Sequence, residues 1–378
     1  MRIIDSTLRE GEQCFGVYMT PKAKADIVRL LSRLGVDEIE LGIAGRDPSL
    51  AALADAARGL GPELSVWAAC RADAISAAAA LDTDWVHLGL PASDAHMRKR
   101  LDLDRDGLVS HLERHVEMAL EAGEARVSVG LEDASRADED FLLRAALAAQ
   151  GAGASRVRLS DTVGLWHPLK VAALAGRLKT ALSVAVGVHC HNDFGMGTAN
   201  ALAGLLAGAD YADASVLGLG ERAGLAALEE LAAYLHFAMG APYRVEELPA
   251  LCQAVAAAAG MDIPPRKPVA GSGQFACETG LHVHGLARDP SLFEPYDPAR
   301  LGFSRRIALG RKSGRAAVAA KIAELGLAPS SRDLEKLVLS VREESERLGR
   351  PLTDEEARSL LDPPGSGCRS GSRRPPGP

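Results

Sequence analysis

Residues 184–192 read Val-Ala-Val-Gly-Val-His-Cys-His-Asn, a short apolar run that breaks into polar side chains at its end. Strand side chains alternate faces, so His189 and His191 point the same way and Cys190 the other. Two imidazoles side by side at a strand end make half a site for a divalent metal. The same design recurs along the chain. Candidate strands are Ile3–Asp5, Glu38–Gly42, Ser65–Cys70, Trp85–Leu90, Arg126–Leu131, Arg156–Ser160, Val184–His191 and Ala212–Leu217. Amphipathic stretches separate them. After the first strand, Thr20-Pro21 offers a cap and a proline at the first helical position. Ile27, Leu30, Leu31 and Leu34 then fall on one face, and Gly35 stops the helix. Eight strand–helix alternations in about 240 residues predict an α/β fold, a (β/α)8 TIM barrel, whose typical size is about 250 residues.

Polar residues gather where the strands end: Asp5 with Arg9-Glu10, Glu40, Arg71, Glu132-Asp133, Asp161-Thr162, His189 with His191, and Glu221-Arg222. In a barrel those ends converge on the face that carries the chemistry. Wet loops alone do not account for so many carboxylates, arginines and histidines with so few lysines. An open doubly wound sheet would carry a glycine-rich phosphate turn, and no GxGxxG follows the first strand.

Composition narrows the class. The 378 residues are 47% hydrophobic and 25% charged, with a formal charge of -7, so no basic surface for nucleic acid is expected. No apolar run is long enough for a membrane span, and Arg2-Ile3-Ile4 enters a strand at once, so no signal peptide is expected. Six scattered cysteines (14, 70, 190, 252, 277, 368) form no CxxC pair and point to a reducing cytoplasm. The expected organisation is a barrel over 1–240, a helix and linker over 241–268 (an Ala-rich helix at 243–260, then Pro264, Pro265 and Pro268), and a small, mainly helical C-terminal domain over 269–362. A helical tail from about Ser331 to Leu361 closes that domain, and 363–378 is Pro/Gly/Ser/Arg-rich and expected to be disordered.

Arg9 and Glu10 lie just beyond the first strand. A carboxylate there completes a two-His-one-carboxylate metal site, which leaves positions open for substrate. A 2-oxo acid would chelate through its carboxylate and keto oxygen, and Arg9 would stabilise the alkoxide that develops when the carbonyl is attacked. The competing reading is a local surface ion pair of little worth.

Longer stretches now carry a resemblance. Asp5-Ser-Thr-Leu-Arg-Glu-Gly-Glu-Gln13, His189-Cys-His-Asn-Asp-Phe-Gly195 and Gly218-Leu-Gly-Glu-Arg-Ala-Gly224 resemble the DRE-TIM metallolyase superfamily, and within it the homocitrate synthase and isopropylmalate synthase group. Val86–Asp94, Glu132–Asp138 and Arg158–Gly164 resemble the nitrogen-fixation type most. The resemblance covers about residues 1–325. It implies a divalent metal (Mg, Mn, Zn or Fe) held by Glu10, His189 and His191. Arg9 then polarises the keto oxygen, with Gln13 beside the oxo acid and the Thr162 hydroxyl on its carboxylate. Asp5 is left to orient the Arg9 loop or to cap its own turn. The implied reaction is a Claisen condensation of acetyl-CoA, as co-substrate, with 2-oxoglutarate to give homocitrate and CoA. The implied base is His282, in Glu278-Thr-Gly-Leu-His-Val-His-Gly285, supported by Glu132. If that segment is extended, His284 faces the same way and competes. A homodimer is also implied.

Several positions depart from the family pattern. Leu217 stands where many relatives have a potentially metal-binding Asn. A tyrosine of related synthases falls on Phe293, three residues before Tyr296, and Gly-Lys-His-Ser-Gly reads Gly310-Arg-Lys-Ser-Gly314. Cys70-Arg71-Ala72 follows the nitrogen-fixation pattern, and Arg71 would either reach a distal carboxylate or cap the strand end. The stretch after residue 325 is too short for the long regulatory domain of leucine-pathway synthases, so leucine feedback through one is not expected. The same condensation on another 2-oxo acid (an isopropylmalate, citramalate or citrate synthase), a carbon–carbon lyase, or an inactive relative remain the alternatives.

Overall fold

The computed structural model describes residues 1–123, 126–328 and 333–362. Two compact units divide the chain, Met1–Gly271 and the part from Ser272 onward. The first is the expected barrel. Strands β1 (Arg2–Asp5), β2 (Glu38–Ile43), β3 (Glu63–Ala69), β4 (Trp85–Pro91), β5 (Val127–Glu132), β6 (Arg156–Asp161), β7 (Ala185–Cys190) and β8 (Tyr211–Ala214) pair in order, and β8 closes on β1. Helices α1 (Pro21–Leu34), α2 (Leu50–Ala57) and α3 (Ala72–Ala79) follow the first three strands. A single turn α4 (Asp94–His96) and α5 (Arg105–Glu121) follow β4, and α6 (Glu139–Gly151), α7 (Pro168–Ala181), α8 (Gly197–Leu206) and α9 (Leu228–Met239) follow β5 to β8. Helix α1 begins as its sequence requires: the Thr20 hydroxyl accepts from the Ala23 N–H, Pro21 opens the helix, and Gly35 ends it in the left-handed region. An apolar shell between strands and helices holds Ile3, Ile39, Val66, Val86, Val157 and Val188, all fully buried.

Inside the barrel the strands alternate differently. Glu38 and Glu40 of β2, Arg156 and Arg158 of β6, His87 of β4 and Asp213 of β8 are buried there in stacked ionic layers. Charges this deep are stable only when paired and hydrogen-bonded. Arg156 forks onto both oxygens of Glu38 (2.6 and 2.9 Å), while its Nε donates to Ser128 Oγ (2.9 Å). Trp85 and Tyr211 face the same guanidinium at 4.2 and 4.6 Å. One layer higher, Arg158 bridges Glu40 (3.2 Å) and Asp213 (2.7 Å). Gly130 is needed beside them, because a Cβ there would lie 2.3 Å from His87 Nε2.

Three expected elements differ in the structure. Strand β8 stops at Ala214, not Leu217. The Ser215 N–H donates to Ala226 O and its hydroxyl to Leu219 O, which turns the chain into a 3-10 turn at Val216–Gly218. The Ala-rich helix starts at Leu248 (α10, Leu248–Ala259), after a 3-10 turn at Val245–Glu247. In the second unit, α11 (Gly280–Arg288), α12 (Arg315–Glu324), α13 (Leu334–Leu348) and α14 (Asp354–Leu361) join a two-stranded parallel pair, β9 (Ala276–Cys277) and β10 (Arg306–Ile307). The expected helical tail is therefore two helices, parted by left-handed Gly349, and a Thr353–Glu356 capping box starts the second. Val283, Leu309, Val318, Val341, Leu352 and Leu361 form this unit's core. Ser331 and the 363–378 tail lie outside the described residues, and Cys368 with them. Among the described residues no helix is long and apolar enough to cross a membrane.

Candidate active site

The polar strand ends converge on a cavity of about 290 Å³ at the C-terminal mouth of the barrel. Arg9, Glu10, Gln13, Glu132, Thr162, His189 and His191 all line it. Glu10, His189 and His191 are buried, and one donor atom from each lies within 4.8 Å of the others.

Each member of this trio is aimed by a neighbour. His189 comes from β7, and its Nδ1 meets Asp213 Oδ2 at 2.7 Å. That bond fixes the ring and leaves Nε2 free, the usual arrangement behind a ligating histidine. Asp213 is itself held by Arg158. His191 follows the strand, bridged to Leu225, with its Nε2 3.8 Å from Glu10 Oε1. Its Nδ1 is buried with no hydrogen-bond partner. Burial, with His189 adding to it, pushes the His191 imidazole down to about 4, so it stays neutral and able to bind a metal. Burial works to raise the Glu10 carboxyl, but Arg9 and the two imidazoles outweigh it and hold the group below the ordinary carboxylate range.

The loop after β8 closes over Glu10. Its backbone passes so near itself that a Cβ on Gly224 (φ +77°) would fall 1.8 Å from Gly218 O, so only glycine fits there. The Glu221 N–H then faces Glu10 Oε1 at 3.4 Å, and Arg222 reaches across to Asp193 (2.8 Å) and Thr162 O (2.8 Å). Arg9 is not a surface residue: it is buried, donates through Nε to Glu40 Oε2 at 2.6 Å, and pairs with Glu10 through a terminal nitrogen that also reaches Gln13 Oε1 (3.3 Å). The buried Asp5 carboxylate accepts from both the Thr7 N–H and hydroxyl, and Thr7 in turn accepts from the Val216 N–H, which ties the β1 and β8 loops together. Thr162 Oγ1 accepts from the Asp133 N–H (2.8 Å) and keeps its own hydrogen to donate.

A charged N/N/O donor set, one imidazole with a carboxylate behind it and one with a buried unpartnered nitrogen, fits a divalent cation. A buried polar atom without a partner is uncommon, and here it stands beside two further donor groups within ligand reach.

Other residues fall elsewhere. Arg71 does not line the cavity; it is exposed and bonds Asp73 through Nε (3.0 Å) and a terminal nitrogen (2.9 Å). Glu132 lines the cavity and accepts from Arg100 at 2.6 Å. Arg100 sits on a π-helical turn, Met97–Leu101, whose conformation had no signal in sequence. Arg46, Arg158, Trp67 and Ser160 also line the cavity without having been singled out for it. Arg158 and Ser160 were findable, since Arg156-Val-Arg-Leu-Ser160 places polar groups on one strand face. Leu217 takes a left-handed conformation (φ 61°) and lines a separate cavity near α8 and α9.

In the second unit, His282 lies on α11, so the segment is helical and not extended. Two residues along a helix are about 200° apart, and His282 and His284 do not share a face. His282 lines a 230 Å³ cavity with Cys277, Glu294 and Tyr296, and its ring lies 4.4 Å from that of Phe293; His284 is not among the lining residues. Glu278 is used within the unit, accepting from the Lys312 N–H (2.8 Å).

Comparison with known proteins agrees with this geometry. The HMGL-like family matches residues 1–255, and the homocitrate synthase post-HMGL domain-like family matches 269–348. The chain belongs to the HMGL-like, DRE-TIM metallolyase family. It is 39% identical to homocitrate synthase 1 of Nostoc sp. over 95% of this chain and 96% of that one. It is also 39% identical to a probable 2-isopropylmalate synthase of Methanopyrus kandleri (91% and 69% covered) and to a putative (R)-citramalate synthase of Methanoculleus marisnigri (96% and 72%). Among solved structures, the hydroxymethylglutaryl-CoA lyase of Pseudomonas aeruginosa shares the barrel fold, with TM-score 0.62 and 21% identity over 69% of this chain and 93% of that one.

Proposed function

We propose that this chain is a metal-dependent acyltransferase that condenses acetyl-CoA with a 2-oxo acid, and that the acid is 2-oxoglutarate, giving homocitrate and CoA. The observation that carries the reading is the convergence of Glu10, His189 and His191 beside a buried Arg9 in one cavity. Relatives named as synthases of this type, matched along nearly their whole length or most of it, support the coarser statement. The two family matches together extend through residue 348, so the second unit belongs to the same reading.

Glu10, His189 and His191 hold the divalent cation, which supplies Lewis-acid polarisation of the keto group. Gln13 and the Thr162 hydroxyl bind and orient the oxo acid. Arg9 keeps its charge beside the keto oxygen, where negative charge grows as the carbonyl is attacked. His282 takes a proton from the acetyl methyl group. The resulting carbon nucleophile adds to the keto carbon, the keto oxygen takes up a proton to become the hydroxyl, and water then cleaves the thioester to release CoA. Glu132 supports the base in this reading.

Three relatives with different acceptors stand at the same 39% identity, so the same condensation on a branched or shorter 2-oxo acid is the second reading. Thiol release from acetyl-CoA with a panel of 2-oxo acids separates the two. Preference for 2-oxoglutarate is expected. Preference for pyruvate or 2-oxoisovalerate would replace the acceptor, and no release with any acid would reject the synthase reading.

A further inference from the structure

Five arginines line the site cavity, and four of them already have carboxylate partners. Arg9 pairs with Glu10 and Glu40, Arg100 with Glu132, Arg158 with Glu40 and Asp213, and Arg222 with Asp193. Arg46 is the exception: it lines the cavity, and among the described residues its side chain has no hydrogen bond or ion pair to protein. It stands just past the end of β2, on the same side as the apolar lining groups Ile43 and Trp67 of β2 and β3. The candidate metal-binding trio comes from the loop after β1, from β7 and from the residue just past its end.

The loop that carries Arg46 is pinned. Lys24, only 5% exposed, places its ammonium 2.6 Å from Asp47 Oδ2 and 2.6 Å from Glu12 Oε2. Asp47 Oδ1 also accepts from the Ser49 N–H (2.8 Å) and hydroxyl (2.7 Å). One buried cation thus ties the residue after Arg46 to the residue before Gln13. A second cavity of about 380 Å³ shares Arg9, Gln13, Ile43 and Arg46 with the first, so the cleft continues along this wall. An unpaired guanidinium over an apolar wall, on a tethered loop, is a receptor for an anion joined to the reacting end by a short hydrocarbon spacer.

We propose that Arg46 receives the second carboxylate of a dicarboxylic 2-oxo acid, whose methylene chain lies against Ile43 and Trp67. The inference rests on the synthase reading and makes Arg46 the residue that selects a dicarboxylic over a monocarboxylic acceptor. Arg71, bonded to Asp73 away from the cavity, has no part in that selection.

The test compares wild type, Arg46→Gln and Arg46→Lys. The readouts are KM for 2-oxoglutarate, 2-oxoisovalerate and acetyl-CoA, and calorimetric binding of each acid to the Mg²⁺-loaded protein. Arg46 is exposed, so neither change should disturb folding. A lost charge-assisted contact should raise KM and Kd for 2-oxoglutarate by about 10- to 100-fold in Arg46→Gln. The values for 2-oxoisovalerate and acetyl-CoA should stay within about twofold of wild type, and Arg46→Lys should recover part of the loss. Equal losses for both acids, or no loss, would overturn the assignment. A loss confined to acetyl-CoA would overturn it too, by giving Arg46 to a phosphate of the coenzyme. If wild type releases thiol with no acid, the synthase reading falls by itself. Calorimetry then decides Arg46 separately: selective loss of dicarboxylate binding sustains it, and unchanged binding overturns it.

Discussion

The lower and upper layers of the barrel interior are built from the same residue types and differ in how completely they are satisfied. Below, Arg156 spends its guanidinium on Glu38 and Ser128 between the rings of Trp85 and Tyr211. Above, Glu10, His189 and His191 converge with a buried nitrogen of His191 left over, and Glu10, paired with Arg9 through one oxygen, has only long contacts at the other (3.4 and 3.8 Å). Burying charge is costly in both places. The lower layer offsets that cost internally, and nothing remains for a ligand. The upper layer leaves part of it to be offset by what binds. The middle layer supports the upper one, because Arg158 holds Asp213 and Asp213 holds His189.

The largest effect should come from breaking the closed layer. Glu38→Ala strands the Arg156 charge and should cost about 3–5 kcal/mol in unfolding free energy. Glu38→Met combined with Arg156→Met should recover most of it, as read by urea denaturation. Equal losses in the single and double variants would show that the layer is held by packing and not by charge pairing. In the open layer, His189→Ala should abolish tight metal binding while the fold persists. Asp213→Asn should weaken metal affinity by about 10- to 100-fold, measured by metal titration. Asp213→Asn with unchanged affinity would remove the link between the middle and upper layers.

The next effect is a pH dependence. Burial pushes the Asp5 carboxyl up to about 7, against the opposing bonds from Thr7 and with Glu40 and Asp213 adding to the rise. In the unfolded chain it ionises near 3.8. Between those values the folded state holds a proton that the unfolded state has released, so this group's stabilisation is full below about pH 4 and is lost as pH rises through 7. Asp5→Asn cannot lose it. The stability of wild type relative to Asp5→Asn should therefore fall between pH 4 and 7 and level off above. A difference that stays flat with pH would place the ordinary carboxylate value on Asp5. The smallest effect concerns Leu217, whose left-handed backbone is unfavourable for a leucine. Leu217→Asn should raise thermal stability by at most about 1 kcal/mol, and a lower melting temperature would show that the leucine side chain's packing outweighs the strain.

What the sequence revealed follows the range of the forces involved. Period-two alternation is local, so the eight strands, the shared face of His189 and His191, and the convergence of Arg9 and Glu10 with them were legible. The ionic layers were written in the same alternation, in Glu38-Ile-Glu40 and Arg156-Val-Arg158, but their pairing joins residues 118 apart in the chain. Loop geometry was not legible. Arg71 and Arg46 both follow strands, yet Asp73 turns the first outward, while Lys24 tethers the loop of the second beside the cavity. The end of β8 was misplaced because Ser215 bonds across to Ala226 and Leu219. Segment 280–288 carries glycines and valine that read as strand or helix. The helix forms where Val283 enters the second unit's core and Gly285 admits the Phe293 ring, whose atom would lie 2.2 Å from a Cβ.

The central claim is that the open upper layer is a metal site serving acyl transfer to a 2-oxo acid. Chelator-stripped protein, assayed for thiol release from acetyl-CoA with 2-oxoglutarate before and after one equivalent of Mg²⁺ or Mn²⁺, tests it most directly. The account predicts no acceptor-dependent release from stripped protein and recovery at a one-to-one ratio, absent in His189→Ala. Release that survives stripping, or that His189→Ala retains in full, would contradict it.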